Sequence, residues 1–172
     1  MLECRSNKYS RADTLTYLND LYHKNDLAEG RFKVLGEQVD LSNVTIPVMV
    51  QAGRDDHICP YDSVYRTAKA YGGKTTFVLA GSGHIAGVVN HPDAQKYQYW
   101  INEALPDTPG QWLDNAEEIP GSWWPYWAKW LKKRSGRMVE ARTPRKKKKL
   151  GKAPGKYAKV RLNDIARERG RI

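Results

Sequence analysis

Apolar positions recur at two different periods along this chain, and each change of period marks a change of element. Between Asp13 and Asn25, Leu15, Leu18, Leu21 and Tyr22 fall on one helical face, with Asp13 placed to cap the N-terminus. Residues 31–41 predict two short strands around a glycine-containing turn. Ile46 to Val50 is a compact apolar run rich in β-branched residues, the composition of a buried parallel strand. A helix is predicted from about Asp62 to Tyr71, where Gly72-Gly73 breaks it, and Thr75 to Leu79 predicts the next strand. Strand, loop, helix and strand at this spacing make a βαβ unit and imply a parallel sheet. Farther along, helices are predicted from Pro92 to Glu103 and near Gln111 to Glu118. The segment from Gly121 to Leu131 then holds Trp123, Trp124, Trp127 and Trp130, the last three at spacings that suit one helical face.

Composition adds limits. At 172 residues, 40% hydrophobic and with six tryptophans, the chain is expected to fold as one domain with a moderate core. No apolar run is long enough for a transmembrane helix, and the first residues lack the apolar stretch of a secretory signal. Charge splits the chain in two. Residues 132–172 carry 17 of the 29 lysines and arginines against three acids, Glu140, Asp164 and Glu168. The net charge of +10 therefore belongs to this end, and residues 1–131 are mildly acidic. The expected division is a catalytic-looking α/β part at 1–131 and a basic, largely disordered tail at 132–172, with a short helix at 162–169. Cys4 and Cys59 form no C-x-x-C pair or metal-type cluster and read as free thiols.

Candidate chemistry sits at the ends of the two central strands. Asp56 follows the first, His84 follows the second, and 28 residues separate them. In α/β-hydrolases a nucleophile is followed in the chain by an acid and then a histidine, the last two on loops after late strands. This sequence has the second half of that order, and contains neither G-x-S-x-G nor G-x-C-x-G. Glycines 81 and 83 would allow a tight loop that presents His84. Asp55 reads as a loop-capping or solvated carboxylate, His57 as structural, and His23 and His91 as surface residues. Neither Cys4 nor Cys59 has the surroundings of a nucleophile.

Three segments together carry a family resemblance: Arg54-Asp-Asp-His-Ile-Cys-Pro60, Ser82-Gly-His-Ile-Ala-Gly-Val-Val-Asn90 and Gly121-Ser-Trp-Trp-Pro125. In order and spacing they resemble the class I polyhydroxyalkanoate (poly(3-hydroxybutyrate)) synthases. The likeness runs from about Leu15 to Lys159 and includes Val39-Asp-Leu41, Ala104-Leu-Pro106 and Ala153-Pro-Gly-Lys-Tyr-Ala158. It implies the C-terminal half of an α/β-hydrolase fold, parallel strands with helices, and a Cys–His–Asp acyltransferase that polymerises (R)-3-hydroxyacyl-CoA and releases coenzyme A. It implies Asp56 and His84 as the catalytic residues. His84 would generate the cysteine thiolate, since a thiol needs a nearby base to ionise at neutral pH. Asp56 would help activate the substrate's 3-hydroxyl as well as, or instead of, orienting the imidazole. No cofactor or metal is expected. The implied partners are the acyl-CoA, the polyester, an N-terminal synthase half or a second copy, and a granule surface, in the cytoplasm. Full synthases carry an N-terminal region and a first half-core with the nucleophilic cysteine. This sequence shows no counterpart, so a fragment or subunit that does not turn over alone is expected.

The tryptophans are expected to pack on the core, because indoles bury large areas and hold one hydrogen bond each. Stacking on coenzyme A adenine and contact with polymer are the competing uses. The basic tail is expected to be solvated. Its attraction to granule surfaces, nucleoid DNA or coenzyme A phosphates ranks next, and with Tyr157 as its only aromatic, nucleic acid is not an expected partner. From a different class stands a non-catalytic granule- or synthase-binding module that uses the tryptophans and the tail.

Overall fold

The run predicted as a buried strand at Ile46–Val50 contributes only its last three residues to the outer strand of a four-stranded sheet, Val48–Gly53, and Ile46 is exposed ahead of it. A computed structural model describes residues 11–142, 153–155 and 157–161. The chain divides into two units, Leu15–Gly136 and a second made of Met1–Thr14 with Arg137–Ile172. In the second unit, residues 137–142 have no regular structure and Tyr157–Lys159 form one 3₁₀ turn. The helix predicted at 162–169, most of the tail expected to be disordered, and Cys4 lie outside the described residues.

α1 (Arg11–Thr16) runs on into a π-helical stretch at Tyr17–His23. Asp13 lies inside the first turn and is not the cap, because the helix begins two residues earlier than predicted. Its apolar stripe is left open: Leu15, Leu18 and Tyr22 are all exposed. β1 (Lys33–Val34) and β2 (Glu37–Gln38) form the predicted hairpin. Its two-residue turn places Leu35 and Gly36 at φ values of 51° and 89°, matching the twist that two-residue hairpin turns require.

The βαβ unit is formed by β3 (Val48–Gly53), α2 (Tyr61–Ala70) and β4 (Thr75–Ala80). β3 and β4 are parallel, in register from Val48 opposite Thr75 to Gly53 opposite Ala80. The sheet does not continue as a parallel one. β5 (Gln98–Ile101) lies antiparallel to β4, and β6 (Glu117–Pro120) antiparallel to β5, giving the order β3-β4-β5-β6. The helix predicted from Pro92 to Glu103 is thus replaced by a 3₁₀ turn at Pro92–Ala94 and a strand. Gln95 and Tyr97 take left-handed φ values of 45° and 63°, which end helical winding. Tyr99 and Trp100 then bury on opposite faces of the sheet, as a strand allows and a helix does not. The next predicted helix is shorter: α3 covers Pro109–Asp114, capped by the Thr108 hydroxyl on the Gln111 N–H at 3.2 Å.

Alternation along β4 builds two cores. Phe77 and Leu79 join Ala52, Trp100 and Trp112 beneath α2, which adds Tyr65 and Ala68. Phe77 meets Tyr65 and Trp112 edge-on, at centroid distances of 5.1 and 4.9 Å. Such contacts add about 0.5–1.5 kcal/mol each beyond area burial. Val78 and Ala80 face the other way, onto Tyr99 and Trp123, with Trp124 and Tyr126 of α4 (Trp124–Lys132) packed alongside. The tryptophans do pack, though not as one face: Trp130 donates to the Thr76 hydroxyl at 3.2 Å, while Trp127 is 40% exposed and rests on Trp123. No helix among the described residues is long and apolar enough to cross a membrane.

Candidate active site

Because β3 and β4 are parallel neighbours, the loops leaving their C-terminal ends emerge side by side. Main-chain bonds continue the pairing past the strands: Arg54 N–H donates to Ala80 at 2.8 Å and Asp55 N–H to Ser82 at 3.1 Å. The next residue on the first loop is Asp56. His84 stands on the second, and its Nδ1 lies 3.0 Å from Asp56 Oδ2. The two residues singled out in the sequence are therefore in direct contact.

The other carboxylate oxygen, Oδ1, accepts from the N–H groups of Ile58 and Cys59, both at 2.9 Å. The Asp56 side chain is only 7% exposed, against 51% for His84. The Cys59 N–H and then His84 hold the carboxyl down at about 2, with the Ile58 N–H adding to them and burial opposing. Asp56 is therefore ionised at neutral pH, and the shared proton of the pair sits on His84 Nδ1. Nε2 is the ring nitrogen that Asp56 does not engage, on a half-exposed imidazole. The same two loops carry Ile58, Ile85 and Val89, which are 60, 73 and 66% exposed.

The neighbouring candidates fall outside this pair. Asp55 and His57 are exposed and make no side-chain bond to His84, and His23 is exposed at the end of the π-helical stretch. His91 accepts from the Asp93 N–H at 3.2 Å and caps the 3₁₀ turn. Cys59 has an exposed thiol, and its part in the site is its backbone N–H. Among the described residues no group of three or more histidines, cysteines or acids is placed to hold a metal.

The loop carrying His84 has supports that the sequence reading missed. Gly81 and Gly83 do not supply the left-handed turn; Ser82 does, at φ 74°. Glycine is needed instead where main chains crowd. A Cβ on Gly87 would meet the Gly83 carbonyl oxygen at 2.8 Å. From the other side of the loop, Trp123 Nε1 donates to Gly87 O at 3.0 Å, Trp124 Nε1 donates to Val88 O at 2.9 Å, and the Ser122 hydroxyl donates to Asn90 O. Asn90 is buried and donates onward to Lys96 O at 2.9 Å. All three quoted motifs thus meet in space, the second joined to the first by Asp56–His84 and to the third by these bonds. Adjacent tryptophans do signal a need for two acceptors, but nothing local in the sequence says which loop supplies them.

No protein-family model matches the chain. Among curated proteins, the poly(3-hydroxyalkanoate) polymerase subunit PhaC of Rhizobium etli is 40% identical over 158 residues, 91% of this chain and 25% of the relative. That of Rhizobium meliloti is 41% identical over 157 residues, covering 91% and 26%. That of Cupriavidus necator is 40% identical over 149 residues, covering 84% and 25%. The chain spans about a quarter of the length of these relatives.

Proposed function

The chain is related over most of its length to poly(3-hydroxyalkanoate) polymerases, and from this and the Asp56–His84 contact we propose that it is the C-terminal part of such an enzyme, on an α/β-hydrolase core. In this reading it supplies the base and the acid of a Cys–His–Asp acyl transfer, and a segment carrying G-x-C-x-G supplies the nucleophile. His84 Nε2 takes the thiol proton, and the thiolate attacks the thioester carbonyl of a 3-hydroxyacyl-CoA. Coenzyme A leaves as its thiol, taking the proton back from the imidazolium. The 3-hydroxyl of a bound unit then attacks a second acyl thioester, forming the ester as the C–S bond breaks, and its proton passes through the same base to the departing thiolate. The product is an insoluble polyester, so the assembly would work at a granule surface.

The geometry favours an orienting role for Asp56. One oxygen is spent on two backbone N–H groups and the other on His84, and a carboxylate held at about 2 is a weak base. It fixes which ring nitrogen carries the proton, and Nε2 does the proton transfer. The exposed Ile58, Ile85 and Val89 suit cover by the nucleophile-bearing segment and by the acyl chain.

The observation that carries this reading is the 3.0 Å contact between Asp56 and His84 at the ends of two parallel strands. The experiment is coenzyme A release from 3-hydroxybutyryl-CoA, with this chain alone and with a polypeptide bearing the G-x-C-x-G half-core. Turnover is expected only in the mixture, and to vanish with His84→Ala. Turnover by the chain alone, or a mixture indifferent to His84→Ala, overturns it.

A further inference from the structure

Three consecutive side chains, Ser122, Trp123 and Trp124, each donate a hydrogen bond to a main-chain carbonyl of the His84 loop, those of Asn90, Gly87 and Val88. The loop holds few internal bonds. Gly87 N–H reaches Gly83 O at 2.9 Å, and the N–H groups of Val88 and Val89 share Ile85 O at 3.1 and 2.8 Å. These ties close the turn on itself and leave its outer carbonyls without partners inside the loop. The indoles fill that need from the N-terminal end of α4, whose aromatic side chains also pack on the sheet. Trp123 is buried, and its indole N–H can serve one acceptor only. The Ser122 hydroxyl does double duty, since it also accepts the Trp124 N–H at 3.1 Å.

The consequence concerns orientation. His84 is half exposed, and its one hydrogen bond among the described residues runs to Asp56. Where the backbone carries the ring decides whether that bond is made. That backbone is strained at Ser82 on one side and held by the indoles on the other. We propose that Ser122, Trp123 and Trp124 are positioning residues for His84, acting through the carbonyls of Gly87, Val88 and Asn90 to keep Nδ1 on Asp56. What the positioning serves rests on the reading of His84 as the base; the positioning itself does not.

The test is nitrogen-resolved NMR of the His84 ring in the full chain, together with amide exchange. Trp124→Phe keeps a ring on α4 and removes the N–H. Trp123→Phe does the same in the buried position. Trp130→Phe is the control: it removes an indole bond from the same helix, but one made to Thr76 on β4. In the parent, the two ring nitrogens are expected to be widely split, with the proton on Nδ1. In Trp124→Phe and Trp123→Phe the split narrows as the other tautomer gains population. The amides of Gly87, Val88 and Val89 exchange about 5-fold faster, the effect of one net hydrogen bond. Trp130→Phe leaves both unchanged. The proposal is overturned if the split stays at the parent value in Trp124→Phe, or if Trp130→Phe narrows it equally. Should Trp123→Phe fail to fold, Trp124→Phe decides. Neither measurement needs turnover, so a loosened ring together with an inactive mixture supports the positioning while counting against the polymerase reading.

Discussion

Gly53 and Ser82 meet at the tip of β3: a Cβ on Gly53 would lie 3.1 Å from the Ser82 carbonyl oxygen and 3.3 Å from that of Gly83. The acid loop and the base loop therefore touch through bare main chain. Gly53→Ala is expected to wedge them apart and cost about 1–3 kcal/mol. A lower urea midpoint at unchanged slope is the signature, and an unshifted midpoint would show that the loops yield freely.

Ser82 itself holds a left-handed φ of 74°. Ser82→Gly removes that strain but adds freedom to the unfolded chain, so stability should stay within about 0.5 kcal/mol of the parent. Ser82→Val puts a β-branched residue in the same region and should lose more than about 1 kcal/mol. Equal thermal midpoints for the two variants would contradict the strain.

Asp56→Asn keeps an oxygen for the Ile58 and Cys59 N–H groups and removes the charge that fixes the His84 proton. In the reconstituted mixture, turnover should fall by about 10²–10⁴-fold with little change in KM. The sign of the pH effect follows from the depressed carboxyl. Its contribution is fully present above the ordinary value of 3.8 and is lost as pH falls toward about 2. The stability gap between parent and Asp56→Asn should therefore close over that interval and be flat near neutrality. A gap that instead closed near pH 6 would place the titration elsewhere.

Phe77 and Ile85 separate folding from assembly. Phe77 is fully buried between Tyr65 and Trp112, and Phe77→Ala should cost about 3–5 kcal/mol. Ile85 is 73% exposed, so Ile85→Ala should change the isolated chain by less than about 0.5 kcal/mol. If Ile85 is covered by the nucleophile-bearing segment, the same change weakens activity in the mixture. Identical titration curves for parent and Ile85→Ala against that segment would count against the cover.

The parts of this fold that were legible are those set by neighbours in sequence. The hairpin at 31–41 and the βαβ unit from Val48 to Ala80 follow from period, glycine placement and β-branched residues. The Asp56–His84 meeting follows from the same unit, because parallel neighbours bring their loops to one edge. The second half of the sheet was not legible. β5 exists because Tyr99 and Trp100 fill cores on opposite faces, and that demand comes from Val78, Leu79 and Trp112 at a distance. The stripe of Leu15 and Leu18 shows another limit: its helical spacing was legible, but spacing alone does not say whether a face is covered, and this one is exposed. The acceptors of the paired indoles were hidden as well, since no local pattern says which loop they hold.

Trp123 and Trp124 hold carbonyls that lie 36 residues earlier in the chain. During synthesis the segment with the imidazole is therefore made well before the residues that hold it. Until Trp124 has left the ribosome, the βαβ unit can form with its histidine unfixed. A premature stop between Val89 and Ser122 would yield a product with both site residues and without the three side-chain ties on the His84 loop, so the address of His84 is completed last.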